Sequence, residues 1–147
     1  MSGGLVLRLR PNERVIVNGV VLENGDRRTS LCVKTPDANI LRFRDAMHPD
    51  EADTPVKRLY YVAQLVVIGE ATPDDARGEL EDGLDALEVA LGDAGGADDL
   101  TAARAHLAEG RFYHVMRAMN RLVPLEAQLL LVAKTRPLRE PEEAEAS

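Results

Sequence analysis

Aromatic side chains are scarce in this chain: of its 147 residues two are Phe, three are Tyr and none is Trp. Only Phe43 falls among the segments that read as strands, and alternation turns it inward. A sheet that captures single-stranded nucleic acid by stacking bases on exposed rings is therefore excluded. Cysteine is as sparse. Cys32 stands alone, which rules out an internal disulfide and the stapled framework of a small secreted domain. It lies in a strand pattern without a flanking cation to activate it, so a packed core thiol is expected rather than a nucleophile. Long apolar runs are missing as well. Leu59 to Ile68, broken only by Gln64, is far short of the roughly 20 residues that cross a bilayer as a helix. The N-terminal Met1-Ser2-Gly3-Gly4 lacks a basic stretch followed by an apolar one, so no signal peptide is read and the cytoplasm is the expected location.

Catalytic signatures are missing too. Neither G-x-G-x-x-G nor G-x-x-x-x-G-K occurs, which removes the common phosphate-cradling loops. Ser2, Ser30 and Ser147 have no nucleophile-elbow setting. The histidines are His48, His106 and His114; the last two approach each other across a turn at Gly110, but no second cysteine or ligand carboxylate accompanies them. Asp74-Asp75, Glu81-Asp82 and Asp98-Asp99 sit at helix starts or on polar faces, where capping and solvation account for them. The expectation is a protein that is not an enzyme and carries neither metal nor cofactor.

What is present is ordinary globular material: 45% hydrophobic and 29% charged residues. The net charge of −7 is unevenly spread. Met1 to Tyr61 holds ten Lys and Arg against eight Asp and Glu, whereas Val62 to Ser147 holds eight against seventeen. An all-over affinity for nucleic acid is excluded; a local basic patch on the front half is not.

The front half reads as strands. Leu5, Leu7 and Leu9 alternate with Val6, Arg8 and Arg10, and Arg14–Val17, Val20–Leu22, Thr29–Lys34 and Ile40–Arg44 follow. Asn18-Gly19 and Asn24-Gly25 suit two-residue hairpin turns and suggest a meander or small barrel. Two prolines and three acids within His48–Pro55 mark a boundary. Thr54-Pro55 and Thr72-Pro73 are helix-start signals. The first opens a helix over Val56–Ile68 that is apolar nearly all round, implying deep burial or a subunit interface; a buried strand from Tyr60 is the alternative. Ala76, Leu80, Leu84, Leu87 and Leu91 line one face of a second helix, Gly95-Gly96 stops it, and a third runs from about Asp99 to Gly110. A fourth begins near Arg111, and Pro124 is expected to kink or restart it. The fold class is α+β: a β-rich subdomain over 1–48, a bundle of about four helices over 49–135, and an acidic tail over 136–147, expected to be disordered.

One constellation stands out. Arg8 and Arg10 share a face of their strand, and Arg42 and Arg44 share the face opposite Leu41 and Phe43. If those strands lie in one sheet, four guanidinium groups form a solvent-facing stripe that Arg27 and Arg28 extend. Guanidinium binds phosphate through paired hydrogen bonds, so an RNA contact is one outcome. Pairing to Glu13, Glu23 or Asp45 is the other.

The run Arg14-Val-Ile-Val-Asn-Gly-Val-Val-Leu-Glu-Asn-Gly-Asp-Arg-Arg-Thr-Ser-Leu31, followed by Met47-His-Pro-Asp-Glu-Ala-Asp-Thr-Pro-Val-Lys-Arg-Leu-Tyr-Tyr-Val-Ala-Gln-Leu65, resembles the FlbT family of flagellar biosynthesis regulators. Leu107–Tyr113 and Leu125–Leu129 extend the likeness into the helical half. The resemblance implies a post-transcriptional repressor that associates with the 5′ untranslated leader of flagellin mRNA and promotes its decay. Leu5 to Met47 is also similar to the small RNA-binding CsrA proteins, through Leu-Arg-Leu-Arg-Pro-Asn-Glu-Arg-Val-Ile-Val and Phe-Arg-Asp-Ala-Met47. That similarity implies RNA contacts by the first strand and Arg44. Two roles follow as expectations: RNA binding through Arg8, Arg10, Arg27, Arg28, Arg42 and Arg44, or docking of flagellin or a flagellar co-regulator by the acidic helical half. A homo-oligomer is expected from the apolar helix after Pro55.

Overall fold

A computed structural model describes residues 4–135. The acidic tail expected over 136–147 lies outside them. Five strands precede four helices: β1 (Leu5–Leu9), β2 (Arg14–Val17), β3 (Val20–Glu23), β4 (Thr29–Val33), β5 (Ile40–Arg42), α1 (Pro55–Val67), α2 (Pro73–Leu91), α3 (Ala97–Ala108) and α4 (Phe112–Thr135). The α+β architecture is the one the sequence implies.

The strands form two small antiparallel sheets, a β1–β4 ribbon and a β3–β2–β5 sheet. Asn18 (φ 50°) and Gly19 (φ 83°) supply the two positive φ angles of a tight turn that sets Val17 opposite Val20. Asn24-Gly25 does not close a second hairpin. The Asn24 side-chain amide instead donates to the carbonyls of Arg10 (2.7 Å) and Arg27 (2.8 Å), and the chain departs so that β4 pairs with β1. The expected strand over Ile40–Arg44 stops at Arg42, and Phe43–Asp45 is a 3₁₀ turn.

Strand β2 is covered on both sides. Val15 packs with Leu7 and Leu9 of the ribbon, while Ile16, with Leu41 of β5, belongs to the large core built mainly by the helices. That core takes Val56, Leu59 and Ala63 from α1, Leu80 and Leu84 from α2, Leu100 and Ala103 from α3, and Val115, Met119 and Leu122 from α4. The two halves thus share one interior.

The helices begin and end where local chemistry directs. Thr54 and Thr72 accept from the backbone N–H groups of Lys57 (3.2 Å) and Asp75 (3.1 Å), each before a proline at the first helical position. Gly95 and Gly110 take the positive φ angles that end helical stretches. The segment over Tyr60 is helical, so the strand alternative is excluded. Its all-round apolar character is met inside the chain, by α2, α4 and the core. Pro124 lies on an exposed face, and α4 continues through it as one helix. Four hydrogen bonds lock the layers: Tyr113 Oη donates to the Ile40 carbonyl (2.9 Å), Gln64 grips both backbone groups of Met47 (2.8 and 2.9 Å), and the buried Glu126 carboxylate accepts from the Val56 N–H (2.9 Å). Among the described residues no helix is long and apolar enough to cross a membrane.

Candidate nucleic-acid interface

The outer face of the β1–β4 ribbon is open to solvent. Register places Arg8 opposite Ser30 and Val6 opposite Cys32 on that face; one step beyond the ladder, Arg10 and Arg28 continue it. Arg44 approaches from the 3₁₀ turn after β5. Arg8, Arg10, Arg28 and Arg44, with Thr29, Ser30 and Leu9, line an open groove of about 400 Å³. No carboxylate is among its lining residues.

Two of the six arginines singled out from sequence stand apart. Arg42 pairs with Val15 in register, so its side chain points between the sheet and the ribbon instead of outward. There its Nε and Nη2 donate to Glu13 (2.8 and 3.0 Å) and Nη2 also donates to the Arg8 carbonyl (2.5 Å). With 17% of its side chain exposed, Arg42 joins the two β layers. Arg27 does not line the groove; its carbonyl accepts from Asn24 (2.8 Å) and from the Thr29 hydroxyl (3.0 Å). The arginines therefore do not share one sheet, but four of them share one groove. Arg14, outside the predicted set, pairs with Glu23 (3.0 Å).

Glu13 governs this arrangement. Only 7% of its side chain is exposed, and besides Arg42 it accepts from the Arg10 N–H (2.8 Å). The Arg42 hydrogen bonds, then the Arg10 N–H, hold its carboxyl down at about 2, and they outweigh burial. Arg44 Nε lies 3.7 Å from Glu13, a looser contact that leaves 45% of the Arg44 side chain exposed. The Glu13–Arg42 pairing could not be assigned from alternation alone, although Glu13 was among the possible partners.

Cys32 is exposed, not packed, because no layer covers the ribbon's outer face. The His106 and His114 rings do meet across the Gly110 turn, with centroids 4.9 Å apart. Among the described residues no group of three or more His, Cys, Asp or Glu is placed to hold a metal ion. The groove can bind anions by hydrogen bonds and charge, and it presents no paired nucleophile and base.

Residues 5–130 match the family model for "Flagellar protein FlbT". The chain is 30% identical over 130 residues to a probable flagellum biosynthesis repressor protein FlbT of Mesorhizobium japonicum, covering 88% of this chain and 87% of that protein. It is 33% identical over 129 residues to a protein of the same description in Caulobacter sp. strain K31, covering 86% and 95%. It is also 27% identical over 126 residues to the flagellum biosynthesis repressor protein FlbT of Caulobacter vibrioides, covering 86% and 89%. No solved structure matches the chain. A match running from the first strand into the last helix, with relatives covered over most of their length, places this chain in the FlbT family of flagellar proteins.

Proposed function

We propose that this protein represses flagellum biosynthesis by holding the 5′ untranslated leader of a flagellin mRNA in the arginine groove of its β half. The observation that carries the reading is Arg8, Arg10, Arg28 and Arg44 around one open groove with no carboxylate in its lining. Guanidinium groups meet phosphates in paired hydrogen bonds, and the Ser30 hydroxyl offers a further donor. The repressor naming of the relatives and the likeness of Leu5–Met47 to CsrA proteins point the same way. The reading assigns no bond-breaking chemistry to the chain, so decay of the message falls to a host ribonuclease. All of this suits a cytoplasmic protein.

Fluorescence anisotropy with a labelled flagellin leader, titrated with salt, tests the reading. Three or four phosphates neutralised on a single strand give a log–log slope of about −2 to −3. Reversing Arg8 and Arg28 to Glu should weaken binding at least tenfold and flatten that slope by roughly 1 to 1.5. Leader affinity equal to that of the wild type, in a folded double variant, would remove the groove as the site.

One observation favours protein docking as a second role. Edge strand β3 exposes Val20, Val21 and Leu22 at 57%, 48% and 38%, without a proline or lysine to blunt it. A second copy, flagellin or a flagellar co-regulator would add a strand there. Partner capture from ribonuclease-treated lysate that is lost in Val21→Lys supports this role, and light scattering at micromolar concentration decides the homo-oligomer.

A further inference from the structure

We propose that the hollow on the helical side of Arg44 is a nucleobase subsite, so that a bound RNA runs along the arginine groove, crosses Arg44 and lodges one unpaired base between the two halves of the chain. The inference rests on the RNA binding proposed above and adds the element of specificity that a set of arginines lacks.

Arg44 lines two depressions. One is the arginine groove; the other, of about 330 Å³, is bordered by Asp45, Lys57, Tyr60 and Asn120. Their chemistry differs in kind. The first offers guanidinium and hydroxyl groups and suits an anion. The second combines two carboxylates (Asp45 and Glu51, the latter accepting from the His48 N–H), an ammonium, a phenol and an amide around a half-buried ring, so donors and acceptors share one small space. A phosphate, all acceptors and negative, is repelled by Asp45. A base edge carries both amino hydrogens and ring acceptors, and its flat face suits the Tyr60 ring. The hollow also falls within the usual size of small-ligand pockets.

Three further observations show polar groups left for a ligand on a rigid support. The Asn120 amide has no hydrogen-bond partner among the described residues, and Pro124, four positions on, has no N–H to give the Asn120 carbonyl. Burial, then Tyr113 and Asp45, raise the pKa of Tyr60 and keep its hydroxyl a neutral donor. Gln64, 2% exposed, holds both backbone groups of Met47, so the segment that carries Arg44 and Asp45 is fixed against α1 before any ligand arrives.

The test uses the full chain and a set of flagellin-leader RNAs, each with one nucleotide made abasic, read by anisotropy. With the wild-type protein, one position should lose about tenfold in affinity when its base is removed, while its neighbours change little. In Asn120→Ala and in Asp45→Asn that penalty should shrink to twofold or less. The salt slope should stay as in the wild type, because phosphate contacts are untouched. Both residues are exposed, and a thermal melt confirms that the variants fold. Equal sensitivity at every position, or a penalty that persists in both variants, overturns the subsite while leaving the groove intact. Leader binding that is absent, or insensitive to salt, overturns the groove itself.

Discussion

Glu13 sorts the arginines: it binds Arg42 tightly, leaves Arg44 half free and touches none of the other three side chains in the groove. Its depressed pKa means that the stabilisation it contributes is complete above about 4.5 and is lost as pH falls towards about 2. Glu13→Gln should therefore lower the melting temperature at neutral pH and flatten the fall in stability between those two values, measured by thermal melts across pH. His114 works in the opposite range. Burial, then His106, Arg111 and Arg117, push its pKa below 6.5, against a weaker pull from Asp37. Its unpartnered Nδ1 gains nothing to offset protonation. Stability should decline as pH drops below about 6.5, and His114→Gln should remove that part of the decline. At this scale the sequence put Arg8 and Arg10 on the outer face, where they lie, because β1 has one open face. It misplaced Arg42 because alternation says only that Arg42 opposes Leu41. Both faces of β5 are covered, and nothing local to Ile40–Arg42 announces the ribbon above them.

Helix α2 packs against α1 at Gly83. A Cβ built there would collide with the Leu59 side chain, which is buried. Gly83→Leu should cost about 1–3 kcal/mol by overpacking, read in chemical denaturation, despite leucine's better helix propensity. The one-sided spacing of Leu80, Leu84, Leu87 and Leu91, the Thr-Pro starts and the glycine stops were all legible because each is set by neighbours within a turn or two. Pairing of β4 with β1 was not. Asn24-Gly25 carries a hairpin signal, and what overrides it is a side-chain bond to the distant Arg10 carbonyl. The apolar surround of α1 was also ambiguous: it could mean an interface or an interior, and packing against α2, α4 and Ile16 gives it an interior.

The whole molecule carries −7 while its groove is positive, so bulk electrostatics repel nucleic acid and only a strand seated in the groove is attracted. That opposition favours selective over indiscriminate binding, and the uneven charge of the two halves already hinted at it. The fusion of the halves was hidden. Composition marks a boundary near His48–Pro55, but Ile16 and Leu41 reach across it into the helical core.

That shared interior makes occupancy of the ribbon a matter for distant helices. Whatever clamps β1 and β4 also disfavours excursions in which β2 withdraws Ile16, and such openings expose amides of α2 and α3. Hydrogen–deuterium exchange in those helices should slow when a leader is added, at sites that no nucleotide touches. Unchanged exchange there, with the groove saturated, would mean that the strands and helices open independently. Ile16, fully buried, would thus carry occupancy of the arginine groove into the helical core.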